Sequence, residues 1–177
     1  MERCLIVVDY QKDFVDGSLG FPGGREIGAG IAGRIRTARE RGEDVIFTQD
    51  THEDDYADTH EGKRLPVRHC LRGTPGWEIA EPVAALVRDD DLVLEKETFG
   101  SSALFDYLRD RDYREVEICG LVTDICVVAN AVLARTALPQ ADIIVSAALT
   151  DAADPKKKEA ALEILRSLHV DVQDVAG

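Results

Sequence analysis

Six residues scattered along the chain have side chains fit for chemistry, and each sits at the end of an apolar run or just beyond one. Asp9 closes "LIVVD"; Asp50 and His52 stand two apart in "FTQDTH"; His69 follows in "VRHC"; Lys96 closes "LVLEK"; Cys126 lies in "GLVTDICV". A thiol with a carboxylate to carry its proton and an ammonium to steady the charge is the equipment for acyl transfer from a small amide. Residues two apart on extended chain face the same side, so Asp50 and His52, joined by His69, offer a carboxylate and two imidazoles to zinc, iron or manganese, with positions left open. Each residue also has a plain reading. Asp9 could cap a loop, Lys96 could form a surface ion pair within "EKE", Cys126 could be a small core hydrophobe, and the Asp-x-His pair could lie on a surface loop. His60, in "ADTHEGK", is either a fourth ligand or an exposed loop histidine.

Elements that would bring these residues together are legible in the hydrophobic pattern. "CLIVVD", "DVIFTQ", "DLVLEK", "EVEICG" and "ADIIVS" read as buried strands, and "VDVQDV" near the C-terminus as a weaker one. Between them "IGAGIAGRIRTARERG", "GWEIAEPVAALVRD", "SALFDYLRDRD", "DICVVANAVLARTAL" and "PKKKEAALEILRSL" read as helices. Such alternation implies parallel βαβ units, hence a three-layer α/β/α fold around a mostly parallel six-stranded, Rossmann-like sheet. Ligands of such sheets bind beyond the carboxyl ends of the strands, where four successive strands here would deliver Asp9, the Asp50/His52 pair, Lys96 and Cys126 to one rim. With Thr123 as N-cap, Cys126 falls at the third helical position, where unpaired N–H groups and the helix dipole favour a thiolate. The stretch from Thr51 to Gly76 is rich in charge, Gly and Pro and holds three of the four histidines, as a functional loop would.

Bulk composition narrows the class. A chain of 177 residues with 45% hydrophobic and 31% charged residues suits one domain, spanning residues 1–177, with a real core. A formal net charge of −13 repels phosphate backbones, so nucleic acid is not an expected partner. No run reaches the roughly 18 apolar residues of a membrane span, and "MERCLIVVDYQKD" turns polar too early for a signal peptide; the expectation is a cytoplasmic protein away from membranes. Four cysteines without a CxxC pair are expected to be reduced. Gly28, Gly30 and Gly33 spell GxGxxG, but too far beyond the strand ending at Asp9 for a nucleotide fingerprint, and are expected to pack a helix closely on the sheet. Lys156 to Lys158 follow an Asp154-Pro155 cap and read as a solvated helix face.

Taken together, "LIVVDYQKDF", "FTQDTH", "HCLRGTPGWE", "EKETFGSSAL" and "GLVTDICV" resemble the isochorismatase-like cysteine hydrolases, and within them the nicotinamidase branch, over nearly the whole chain. That resemblance implies an Asp9–Lys96–Cys126 triad and metal ligands Asp50, His52 and His69 for one divalent ion, zinc first and iron or manganese next. It also implies a cis peptide joining Leu121 to Val122 and an oxyanion hole from the N–H groups of Val122 and Cys126. The implied reaction is deamidation of nicotinamide, or a close small carboxamide, through a thioester, in NAD salvage. Homo-oligomers are common in the family. Many members carry Trp inside the Asp-x-His pair and shortly before the third ligand, where this chain has Thr51 and "LPVRH". Phe14 and Phe99 fall where pocket aromatics usually lie, and Tyr56 and Trp77 are further candidates. Two other readings stand beside this one: a cysteine hydrolase of another small amide or ureido compound, and a non-catalytic flavodoxin-like or metal-binding module with a structural Cys126.

Overall fold

The computed structural model describes residues 2–174. Its strands are β1 (Arg3–Val8), β2 (Asp44–Asp50), β3 (Leu92–Lys96), β4 (Glu115–Leu121), β5 (Asp142–Asp151) and β6 (Asp171–Gln173), each where a β-branched run predicts one. Val175, at the end of the "VDVQDV" run, lies outside the described residues. The sheet order is β3-β2-β1-β4-β5-β6, and every described pairing is parallel. Parallel neighbours need crossovers, supplied by α3 (Gly28–Glu40), α4 (Ser102–Arg109), α5 (Val128–Ala137) and α6 (Pro155–Ser167), after two short helices α1 (Lys12–Val15) and α2 (Pro22–Glu26).

Alternation along β1 builds the three layers. Leu5 and Val7 point into one core with Ile31 and Ile35 of α3, whereas Cys4, Ile6 and Val8 join Leu104, Val127 and Leu165 on the other face. The α3 glycines pack as expected at two of three positions: a Cβ on Gly28 would come within 2.2 Å of the Tyr10 hydroxyl, and one on Gly30 within 2.6 Å of Leu149, while Gly33 faces open space. Helix α6 begins as its sequence suggests, Asp154 accepting the Lys156 N–H at 2.9 Å with Pro155 in the first turn. Among the described residues no helix is long and apolar enough to cross a membrane.

One predicted helix is absent. Residues 75–89 contain only two single 3₁₀ turns, Pro75–Trp77 and Ala84–Leu86. Pro82 interrupts the pattern by removing a donor. Upstream of it the chain runs extended beside β1's continuation, with the Lys12 N–H donating to Glu78 O (3.0 Å) and the Ala80 N–H to Tyr10 O (2.8 Å).

Strand order reverses between β1 and β4, the switch point where a crevice opens at the carboxyl end of a doubly wound sheet. Two backbone positions shape it. Asp9 leaves β1 with φ of 45°, and Gly120 holds φ of 114° with its Cα against β1, where a Cβ would approach Val8 O at 2.0 Å. Gly120→Ala therefore has to lose both the conformation and the close approach. It is expected to destabilise the fold by about 2–3 kcal/mol; a thermal or urea melt indistinguishable from that of the parent chain contradicts this account of the strand contact.

Candidate active site

Register alone brings the chemical residues to one edge. Asp50 pairs with Lys96 across β2 and β3, and the Asp9 N–H donates to Thr48 O (3.2 Å), setting Asp9 beside the same strand end. Lys96 Nζ lies 2.7 Å from Asp9 Oδ2, 2.9 Å from Asp50 Oδ1, 2.9 Å from the Thr98 carbonyl and 3.6 Å from Cys126 Sγ. All four side chains are buried. Thr48 donates its hydroxyl to Asp9 Oδ1 (2.6 Å), while Asp9 Oδ2, though ion-paired, has no well-aligned hydrogen-bond donor and is open to the thiol proton.

Electrostatics follow from one buried cation among several anions. Burial works against the Lys96 ammonium, but Asp9, Cys126 and Asp50 outweigh it and hold its pKa well above the ordinary lysine value. Burial pushes the Asp9 carboxyl up, opposed by Lys96. Burial likewise drives the Cys126 thiol well above the usual value, opposed by Lys96 and reinforced by Asp9 and Asp50. Burial thus opposes the thiolate that the first helical turn favours, which gives Asp9, as the nearby base, its part in activating the sulfur.

The helix start also differs from expectation. Thr123 is not a side-chain cap; its hydroxyl hydrogen-bonds that of Thr150 (2.8 Å), and Val122 takes the cap position. Residues Thr123–Val127 form a π-helical turn in which the Val127 N–H donates to Val122 O (3.1 Å), leading straight into α5. Cys126 remains in that first turn, next to Val122, and the Leu121–Val122 peptide is cis.

Beside the triad, Asp50 Oδ2 lies 3.1 Å from His52 Nε2 and 3.5 Å from His69 Nε2. One ligand atom from each of these residues lies within 4.8 Å of the others. The donor set fits a divalent ion. Val67 O sits 2.8 Å from His69 Nδ1, which fixes the tautomer that leaves Nε2 free to ligate. For the Asp50 carboxyl, burial is outweighed by the two histidines and Lys96, which keep it well below the usual range. Asp50 therefore serves both groups, one oxygen toward Lys96 and the other toward the imidazoles.

Over Cys126 opens a cavity of about 260 Å³, walled by Phe14, Phe21, Leu65, Phe99, Val122 and Ile125 and reaching Asp50 and His69 at its floor. Phe14 and Phe99 thus stand where expected. Tyr56 instead packs behind the paired histidines, its ring 4.7 Å from that of His52, and Trp77 donates its indole N–H to the Thr51 hydroxyl (2.9 Å); neither lines the cavity. His60 is exposed and bonded to Arg64 (3.1 Å), away from the cluster.

Three residues that sequence reasoning missed complete the site. Gln11 donates to Asp50 O and accepts from Asp50 N, both at 2.8 Å, clamping β1's continuation to the end of β2. Asn130 donates to Cys126 O (2.8 Å) and Phe99 O (3.1 Å) and accepts from Ser101 N (2.9 Å), tying the Cys126 turn to the loop after Lys96. Glu61 reaches the histidines from the far side, 3.8 Å from His52 Nε2 and 3.6 Å from His69 Nε2, with its carboxyl pushed up by burial and by Asp50.

Lys96→Met leaves Asp9 buried with no cation beside it, at an expected cost of about 3–5 kcal/mol. A carboxyl whose folded pKa lies above its unfolded value binds protons on folding, so it is destabilising above that folded pKa and ceases to be as pH falls. The deficit relative to the parent chain should shrink as pH is lowered from 8 toward 5 in chemical denaturation. A deficit that is constant across that range contradicts the ion-pair assignment.

Comparison with known proteins agrees with this geometry. Residues 3–177 match the family described as Isochorismatase domain. An isochorismatase family protein of Bacillus subtilis is 32% identical over 144 residues, 75% of this chain and 78% of that relative. The nicotinamidase/pyrazinamidase of Mycobacterium tuberculosis is 29% identical over 185 residues, 93% of this chain and 99% of the relative. The crystal structure of a pyrazinamidase of Pyrococcus horikoshii in complex with zinc superposes with a TM-score of 0.86 at 28% identity, covering 99% of this chain and 100% of that one. With its parallel sheet, its switch-point crevice and a match over nearly its full length, this chain belongs to the isochorismatase family.

Proposed function

We propose that this protein deamidates nicotinamide, or a closely similar small carboxamide, to the acid and ammonia through a thioester on Cys126. The reaction is hydrolysis of a non-peptide C–N bond, the class its nicotinamidase relatives are named for. The observation that carries the reading is Lys96 Nζ between Asp9 Oδ2 (2.7 Å) and Cys126 Sγ (3.6 Å) at the base of an apolar cavity.

Asp9 takes the thiol proton as Cys126 Sγ attacks the carboxamide carbon. With Asp9 and Asp50 anionic and Lys96 cationic, moving a proton from sulfur to Asp9 leaves the net charge of the buried group unchanged, which keeps the step affordable in a dry site. The N–H groups of Val122 and Cys126 face the developing oxyanion. Collapse breaks the C–N bond, and the proton on Asp9 leaves with ammonia. Asp9 then draws a proton from water as its oxygen attacks the thioester; the acid departs and the proton returns to sulfur.

Asp50, His52 and His69 would hold one divalent ion, zinc first, which when bound would supply Lewis-acid chemistry beside the substrate. Phe14 and Phe99 flank the ring. The substrate we infer is a flat, aromatic carboxamide, and the role is nicotinamide salvage in the cytoplasm. A second reading, another small amide or ureido substrate, draws on the cavity wall. Thr51 is turned away, hydrogen-bonded to Gln49 O (3.0 Å), and aliphatic Leu65 stands at the mouth.

Ammonia release from nicotinamide by zinc-loaded protein tests the reading. Cys126→Ala and Asp9→Asn are each expected to lose roughly 10³-fold or more in kcat/KM, Asp9→Asn with metal content intact. His52→Ala is expected to lose metal and raise KM. No release by metal-loaded parent protein overturns nicotinamide as substrate, and full activity in Cys126→Ala overturns the nucleophile.

A further inference from the structure

Three of the six exposed large apolar side chains among the described residues stand around one opening. Phe99, Ile125 and Leu65, exposed at 44%, 40% and 36%, rim the cavity above Cys126, and Leu19, Phe21 and Ala153 line it with them. Apolar residues scattered singly over a surface need no explanation, but apolar residues gathered at a concave opening mark a binding surface. The cavity's volume, about 260 Å³, approaches the roughly 300 Å³ at which pockets begin to hold drug-sized ligands, whereas nicotinamide is a single ring with one amide.

The rim is built into the backbone of three different segments. In the loop after β3, Phe99 O accepts from Asn130 Nδ2 (3.1 Å); in the π-helical turn, Ile125 N donates to Val122 O (3.2 Å); in the 59–65 turn, Leu65 N donates to Glu61 O (2.8 Å) and Leu65 O accepts from the Tyr56 hydroxyl (2.8 Å). Asp124, Asp154 and Lys157 also line the cavity, two acids and one base, and they offer no cationic seat for a phosphate or carboxylate. The floor sets the orientation of a ligand. With the carboxamide over Cys126 and the neighbouring ring edge against His69, the far meta carbon, carbon 5 of a nicotinamide, points to the opening.

We propose that the outer half of this cavity is a second subsite that takes an apolar substituent on the ring, so that the substrate class extends to aromatic carboxamides carrying an alkyl or aryl group at that carbon. Ile125 and Leu65 set the preference, because a substituent lying against them removes apolar surface of both partners from water. The proposal rests on the reading of the cavity as a carboxamide site.

The test is ammonia release from nicotinamide and from 5-phenylnicotinamide by zinc-loaded protein, compared as the ratio of the two kcat/KM values so that any general loss of activity cancels. It is run on the parent chain, Ile125→Ala, Leu65→Ala and the control Ile164→Ala, an exposed apolar residue of α6 that does not line the cavity. The parent is expected to favour the phenyl compound by about tenfold, and the Ile125 and Leu65 variants each to lower that ratio by about fivefold, with Ile164→Ala at the parent ratio. A parent ratio below one, or a ratio that both cavity variants leave unchanged, overturns the subsite. A parent ratio below one together with a dimer in sedimentation that Leu65→Asp dissociates assigns the apolar rim to a second copy of the chain instead. Ammonia from nicotinamide alone overturns only the subsite, whereas no ammonia from either compound overturns the carboxamide reading itself.

Discussion

A single buried ammonium organises this molecule's working end. Lys96 touches two carboxylates and a thiol within 3.6 Å, and all four groups are buried. Without it, Asp9 and Asp50 would be two uncompensated anions in a low-dielectric pocket, and the sulfur could not approach a negative state at all. The same ammonium makes Asp50 a shared group, one oxygen for the triad and one for the imidazoles. The Cys126 thiol and the imidazole pair are thereby neighbours joined by one carboxylate.

Holding four such groups within reach of each other is a problem of register, which a parallel sheet solves. Asp9, Asp50 and Lys96 end three adjacent strands, β1, β2 and β3, and Cys126 follows the strand on β1's other side, so the switch point brings them together with no long loop between the reacting atoms. Gln11 and Asn130 then take out the remaining play. Each is a buried amide with partners on two elements, and buried amides with both ends satisfied are rigid connectors.

Legibility tracked the range of the interaction. Strands that are buried on both faces announce themselves as β-branched runs, and the Asp154-Pro155 cap, which acts within three residues, is as readable as it looks. Thr123 looked like a cap for the same local reasons, yet Thr150, 27 residues on and in a different strand, claims its hydroxyl. The helix expected over 76–89 lost to Pro82 and to pairing with Tyr10 and Lys12 across more than sixty residues. His60 and Glu61 show the limit most clearly. By residue type the imidazole is the better ligand, and only the fold of the 59–65 turn reveals that the carboxylate faces inward. Asp9's left-handed backbone and Gln11's clamp left no local trace, because each is imposed by strands meeting at the rim.

In the proposed reaction the acyl group passes to one sulfur out of four. Rapid acid quench of the metal-loaded protein turning over nicotinamide, followed by peptide mass analysis, reads this directly. The account predicts a nicotinoyl adduct confined to the peptide containing Cys126, accumulating within the first turnover and absent from peptides of Cys4, Cys70 and Cys119. Ammonia release with no acyl adduct at Cys126, or an adduct on another cysteine, would contradict it.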